Sequence, residues 1–371
     1  MTVGHGDAHE KPPEYLRRHY KHYQRLDSSS LEKDSKLIDF SRFLEGNFER
    51  FVRIVRTIDI PTLNRSFSFL GCNIDTELQV SPVRVYEHVS LPGLHFIPDL
   101  VPQEVQWQLL SRLLHRDLAD PNHKTNIHAH YNLPYHICGM GDVEPLEGTN
   151  GKANIEQGAS FFNCSPKQPG TFEPINLTEH KPITTSQFLQ RKLRWITLGG
   201  QYDWTRKIYP KSLPPAFPED IGNFIHDLFP GMKPEAAIVN VYSPSDTLSL
   251  HRDVSEESDR GLVSVSFGCE GIFIVGLGES SEETQRWAAI RLRSGDAVYM
   301  SGPCRYAWHG VPQVIADSCP PWLSGWPANE HRVGSTEIES TQSTNFEAWR
   351  GWLAGKRINL NVRQMGDYYD Q

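Results

Sequence analysis

Two side chains that bind transition metals stand two positions apart in Leu250-His251-Arg252-Asp253. The run 240–253 reads as a strand, a turn at Ser243-Pro244-Ser245-Asp246 and a second short strand. Side chains alternate along a strand with a period of two, so His251 and Asp253 share a face. An imidazole and a carboxylate side by side are two legs of a three-residue cage for Fe(II), which two histidines and one carboxylate suit while leaving coordination positions open. An isolated His-x-Asp is common by chance, so a third leg is needed. The candidate is His309, which follows the apolar run Ala297-Val298-Tyr299-Met300 and a turn at Gly302-Pro303. The intervening segments 262–268, 271–276 and 289–292 are short, β-rich and separated by glycine or polar turns. Strands in such succession favour an antiparallel sheet or jelly roll that returns the chain to the same mouth.

The C-terminal run Arg357-Ile358-Asn359-Leu360-Asn361-Val362-Arg363 alternates without a fault. Ile358, Leu360 and Val362 form a core face. The opposite face carries two guanidiniums and two carboxamides, which are costly to turn inward unless an anion waits there. A solvent-exposed strand face is the alternative. A guanidinium fork matches a carboxylate with two hydrogen bonds, so the implied anion is a small dicarboxylate.

Together these residues resemble the AlkB-type Fe(II)/2-oxoglutarate dioxygenases. The likeness runs from Asn240-x-Tyr242 through His251-x-Asp253, Ser294-Gly295-Asp296 and His309 to Arg357-x-Asn359-x-x-x-Arg363. The runs 36–41, 193–199, 202–204 and 262–268, with the closing Val362-Arg363-Gln364, place it nearest the eukaryotic AlkB homologue one branch. The resemblance implies a mostly β fold, a double-stranded β-helix (jelly-roll) core with supporting N-terminal helices and a nucleotide-recognition lid. It implies Fe(II) on His251, Asp253 and His309, with 2-oxoglutarate and O2 as cosubstrates. Arg357 is expected on the distal carboxylate, Tyr242 and Asn240 beside it, Asn359 in the cosubstrate wall, and Arg363 at the metal-proximal end. The implied reaction is oxidative demethylation of N-methylated bases, methyladenine in tRNA or in single-stranded, bulged or bubbled DNA foremost, releasing formaldehyde, succinate and CO2. Two other readings stay open: a 2-oxoglutarate oxygenase acting on a protein or small molecule, and a nucleic-acid-binding protein with abasic-site lyase activity.

The rest of the chain must position these groups. Its 371 residues, 38% hydrophobic, can furnish a substantial core. We divide it into an N-terminal extension with helical segments (1–80), a supporting helix and recognition lid (81–210) and the dioxygenase core (211–371), the last two packed as one catalytic unit. Apolar positions 105, 109, 110, 113 and 114 predict an amphipathic helix over 101–114, and 220–229 reads as another. His115, His123, His128, His130 and His136 lie in a segment rich in Asn, Pro and Gly whose spacings match no closed zinc set, so an extended lid is expected there. The interval between His309 and Arg357 holds several prolines and a Ser/Thr/Glu-rich run at 335–344, and reads as a surface loop or a cover over the site.

After the strand-like Leu193–Leu198, aromatic rings alternate with basic and polar groups through Tyr202-Asp203-Trp204-Thr205-Arg206-Lys207. Rings can stack on bases while cations neutralise phosphate, which makes Trp195, Tyr202, Trp204, Arg206 and Lys207 the substrate-binding candidates. Trp195 and Trp204 equally suit a core or rim. The net charge of −8 argues against nonspecific polyanion affinity of the whole surface. A localised basic groove, and a tRNA or locally unpaired DNA partner, is therefore expected. The basic aromatic stretch 15–25 fits a helix lying over the domain, a nucleic-acid contact or part of a targeting segment. No apolar run reaches eighteen residues, so no membrane span is expected. The six cysteines show no zinc spacing and read as reduced thiols of an intracellular protein, expected as a monomer, with nucleus, mitochondrion and cytoplasm all open.

Overall fold

The computed structural model describes residues 10–42, 50–72, 81–138, 159–166, 172–203, 206, 208–210, 213–278, 286–328 and 346–366. Its strands are β1 (Leu37–Ile38), β2 (Val52–Ile58), β3 (Val83–His88), β4 (Leu94–Ile97), β5 (Tyr131–Asn132), β6 (Glu173–Pro174), β7 (Trp195–Gly199), β8 (Ala236–Tyr242), β9 (Leu248–His251), β10 (Leu262–Gly268), β11 (Gly271–Gly276), β12 (Trp287–Leu292), β13 (Ala297–Met300), β14 (Trp308–Val314) and β15 (Arg357–Arg363). The α-helices are α1 (Glu14–Arg25), α2 (Ser28–Lys33), α3 (Ile60–Ser68), α4 (Gln103–Ser111), α5 (Thr185–Gln187) and α6 (Glu219–Leu228).

The architecture corrects the jelly-roll expectation. Two open sheets dominate, one of eight strands in the order β2-β3-β4-β13-β10-β15-β8-β7 and one of five in the order β1-β12-β11-β14-β9, with β5 and β6 forming a small third. Each large sheet runs from one edge strand to another, and neither closes on itself. The fold is mixed α/β. Short β-rich segments reveal strands but not how many join a sheet. Here β2, β3 and β4 extend one flank of the eight-stranded sheet, β7 extends the other, and helices pack on the sheets.

The helices form for local reasons. Asp59 accepts the amide of Thr62 at the start of α3, and Glu219 and Asp220 open α6 where the unpaired amides favour negative charge. The apolar stripe Ile221, Phe224, Ile225 and Leu228 of α6 is buried, and Phe224 meets Phe67 of α3 at 6.2 Å between ring centres. Pro102 stands just before α4, which continues as a wider π-helical turn, Arg112–Asp117. The described ends of the interval 310–356 are core. Trp326, Trp349 and Trp352 pack around Phe162, and the indoles of Trp349 and Trp352 donate to Cys164 O and Leu189 O. The Ser/Thr/Glu-rich run lies outside the described residues.

Two of the histidines after α4 serve packing, while His130 and His136 are exposed. His115 stacks between Trp326 and Phe346 and pairs with Ser160, while His128 bridges Thr125 and Tyr135. Burial pulls the imidazoles of His88, His115 and His128 down to about 4, 3 and 4. An unfolded chain takes up these protons near its ordinary value of about 6.5, whereas the folded chain does not until much lower pH. Their stabilising effect is therefore complete above the unfolded value and lost as pH falls below it. The melting temperature is expected to drop steadily from about pH 7 to about pH 5. A flat calorimetric profile over that window would show that these rings protonate in the folded state.

Candidate active site

His251 ends β9 and His309 is the second residue of β14. The antiparallel ladder sets them directly opposite each other, with ring centres 4.3 Å apart. Opposed residues in such a pair project to the same face. Each ring contacts, through Nδ1, the backbone carbonyl two residues earlier: Ser249 O at 2.9 Å for His251 and Ala307 O at 3.0 Å for His309. A carbonyl only accepts, so each Nδ1 carries the proton and each Nε2 keeps its lone pair. Asp253 places Oδ1 3.8 Å from His251 Nε2 and Oδ2 3.8 Å from His309 Nε2. The three ligand atoms lie within 4.8 Å of one another, close enough to hold one divalent ion.

The electrostatics favour the ligand forms of these groups. Burial alone would push the Asp253 carboxyl up, but Arg363, the two imidazoles and Arg305 outweigh it and hold the group well below the usual carboxylate range. Arg363 donates to Asp253 Oδ2 at 3.2 Å and to Glu256 Oε1 at 3.2 Å. Burial draws His309 down to about 4, so its ring is neutral near pH 7. Behind the site, Arg305 donates to Glu256 Oε2 at 3.0 Å, to Asp253 O at 2.8 Å and to Arg260 O at 2.8 Å. Glu256, Arg305 and Tyr209, whose hydroxyl accepts from Arg363 at 3.4 Å, escaped the sequence reading. Glu256 had a signal, standing three residues beyond Asp253. Arg305, in a turn, and Tyr209, in a segment that is neither strand nor helix, had none.

A second cluster lines the face of β15. Arg357 opposes Tyr242 and Asn359 opposes Asn240, so all four share a face with Arg363. Arg357 is buried and donates through Nη2 to Ser266 Oγ at 2.9 Å, and its guanidinium carbon lies 5.8 Å from the centre of the Tyr242 ring. Its Nε and Nη1, and the Tyr242 hydroxyl, are buried without a hydrogen-bond partner among the described residues. Buried donors left unpaired cost about 1–3 kcal/mol each, more when charged. A carboxylate placed there would satisfy them together, so these residues fit a dicarboxylate cosubstrate. Asn359 is already engaged, donating to Ser264 Oγ at 2.7 Å and Val265 O at 3.2 Å. The absence of a side chain at Gly271 makes room for Arg357, since a Cβ there would stand 2.7 Å from Arg357 Nε.

The substrate candidates divide. Trp195, first in β7, opposes Asn240 and so shares the face of the cluster. Tyr202 reaches Ser255, two residues beyond Asp253, with hydroxyls 3.3 Å apart, and its ring lies 5.2 Å from that of Tyr209. Arg206 is exposed and pairs with Asp203 at 3.8 Å. Trp204 and Lys207 lie outside the described residues.

The family profile described as the 2OG-Fe(II) oxygenase superfamily matches residues 152–363, more than half of the chain and every site residue just described. The chain belongs to this superfamily. It is similar to the N6-methyladenosine RNA demethylase ALKB1 of Pyricularia oryzae, 44% identical over 97% of each chain. It is also similar to the tRNA demethylase abh1 of Schizosaccharomyces pombe, 36% identical over 82% of this chain and 87% of that one. The DNA N(6)-methyladenine demethylase ALKBH1A of Arabidopsis thaliana is 28% identical over 90% of this chain and 92% of its own. Within the superfamily the protein is an AlkB-family oxygenase related to the eukaryotic AlkB homologue one branch, and it uses Fe(II), 2-oxoglutarate and O2.

Two variants test the cluster in this oxygenase. Arg357→Met removes the unpaired donors, and Gly271→Ala displaces them. Hydrogen bonds to charged groups are worth about 1.5–3 kcal/mol, so R357M is expected to weaken 2-oxoglutarate binding about 10- to 100-fold with Mn(II) affinity unchanged. G271A is expected to weaken it in the same direction. Calorimetric titration of the anaerobic Mn(II) protein reads both, and an unchanged dissociation constant in R357M would place the cosubstrate elsewhere.

Proposed function

We propose that this AlkB-family oxygenase removes the methyl group from N6-methyladenine in a nucleic acid, RNA and tRNA ahead of locally unpaired DNA. The observation that carries the reading is the join between two clusters. A His/Asp/His set with free Nε2 and carboxylate atoms is linked through β15 to buried donors shaped for a carboxylate. The names of the relatives support the substrate: those at 44% and 36% identity are RNA and tRNA demethylases, and the one at 28% acts on DNA.

In this reading His251, Asp253 and His309 hold the iron. When bound with 2-oxoglutarate and O2, the iron supplies oxidation of a C–H bond of the methyl group. The chain's own residues do the rest. The Nδ1–H bonds to Ser249 O and Ala307 O fix both rings with Nε2 forward, and Arg363 keeps Asp253 ionised and aimed. Arg357 and Tyr242 take the distal carboxylate of the cosubstrate, Asn240 assists, Asn359 stiffens the wall through Ser264, and Trp195 and Tyr202 are the residues assigned to grip the base. Oxygenation turns N–CH3 into N–CH2OH, which breaks its C–N bond to leave N–H and formaldehyde, while 2-oxoglutarate becomes succinate and CO2. A base must leave its stack to reach this site, so unpaired substrates are favoured by the few kcal/mol that flipping costs.

Nucleoside mass spectrometry after incubation of methylated tRNA, other RNA, and paired, bulged and single-stranded DNA with Fe(II), 2-oxoglutarate and O2 tests this. Loss of N6-methyladenine is expected to need all three additions and to vanish in His251→Ala. Turnover of 2-oxoglutarate to succinate with every methylated polymer left intact would overturn the substrate and redirect the search to proteins or small molecules.

A further inference from the structure

The strand that carries His251 is weakly held by its own sheet. β9 is a four-residue edge strand whose ladder to β14 pairs only His309 with His251 and Val311 with Leu248, with an irregularity between the two pairs. Gly310 lies in that irregularity, where a Cβ would stand 2.7 Å from Leu248 O. Short edge strands with few ladder bonds open easily. Two of the three candidate ligands sit on this ladder, and their spacing is its spacing.

The segment running from Glu10 through α1 compensates. Tyr15, Leu16 and Tyr23 of α1 are buried in one cluster with Ile272, Ile274, Ala289 and Trp308 of the five-stranded sheet. From this anchored helix the Tyr20 hydroxyl reaches Leu248 O at 3.1 Å and Val311 O at 3.4 Å, the carbonyls of the cross-strand pair beside the two histidines. Glu10 pairs with Arg252, which stands between His251 and Asp253. The Arg252 guanidinium carbon in turn lies 4.9 Å from the ring centre of Trp308, next to His309. Contacts from one N-terminal segment thus reach the chain neighbours of all three ligands.

We propose that residues 10–25 form a brace that sets the distance between His251 and His309, with Tyr20 as the positioning residue. Its hydroxyl sits across the irregular step between β9 and β14 and resists their separation. Glu10 and Arg252 act alongside, with less effect, because exposed ion pairs contribute little. The inference rests on His251, Asp253 and His309 being the metal ligands.

Tyr20→Phe in the full chain removes the hydroxyl and keeps the ring. Co(II), added to the metal-free protein without cosubstrate or nucleic acid, reports the site by its visible d–d spectrum. One hydrogen bond's net worth corresponds to about five-fold in an equilibrium constant, so Y20F is expected to bind Co(II) about five-fold more weakly and with a shifted spectrum. Hydrogen exchange in β9 is expected to quicken in the metal-free variant. Glu10→Gln, at an exposed position, is expected to move affinity in the same direction by less, and serves as the test if Y20F does not fold. Co(II) affinity and spectrum unchanged in Y20F, or in E10Q where Y20F does not fold, would overturn the brace. Failure of the parent to bind Co(II) would instead overturn the ligand assignment on which it rests.

Discussion

Asp253 is an ionised carboxylate whose side chain is only 12% exposed, and the surrounding structure is arranged to keep it so. Moving a carboxylate into such a place costs several kcal/mol unless charge and hydrogen bonds answer it. Arg363 answers directly at 3.2 Å, and its own buried charge is answered by Glu256, which is in turn held by Arg305. The chain of alternating charges ties the end of β15 to the loop after β9 and to the turn before β14. The cluster thus fixes the relative placement of three segments distant in sequence. Removing Arg363 would leave Asp253 without its guanidinium partner, and removing Glu256 would leave Arg305 without its carboxylate, each a larger effect than the pair's own net contribution.

The same logic explains why the carboxylate-binding end is incomplete. At Arg357 the protein buries a guanidinium and, among the described residues, supplies only Ser266 as a hydrogen-bond acceptor, leaving two donors and the Tyr242 hydroxyl unanswered. Near Asp253 the charges are balanced internally, whereas at Arg357 the balance needs a guest. One strand therefore serves two tasks. Its Arg363 end is structural and its Arg357 end is the one proposed to receive the cosubstrate, separated by Asn359, whose amide is tied to the neighbouring strand.

What could be read from the chain beforehand followed from periodicity. His251 and Asp253 share a face because strands alternate, and the faultless alternation of 357–363 separated core from site in the same way. His309 had no local signal tying it to that pair, because cross-strand pairing is a matter of register between distant segments; the succession of short strands between them offered it as the third ligand, and the likeness to a family supported the choice. Arg305 was missed because charge pairing across loops leaves no periodic trace, and Glu256 was missed although it stands three residues from Asp253. The overall architecture was misjudged for a related reason. Runs such as 83–98 read as extended, but nothing in an extended run tells which sheet it will join, and β3, β4 and β7 turned out to widen an open sheet. The interval after His309 looked like loop because of its prolines, yet its tryptophans are the centre of an aromatic cluster that also takes in Phe162 and His115.

The direct opposition of His251 and His309 across β9 and β14 bears on how this chain can change length. A strand shifted by one residue turns every side chain to the other face. Gain or loss of a single residue within 248–253 or 308–311 would therefore point a ligand away from the metal even if the sheet re-formed. The described residues 315–328 and 346–356, between β14 and β15, form no strand and carry no such phase requirement. Insertions and deletions among relatives should accordingly collect between β14 and β15 and stay out of the two short ladders, making gap placement, more than residue identity, the mark of a working site.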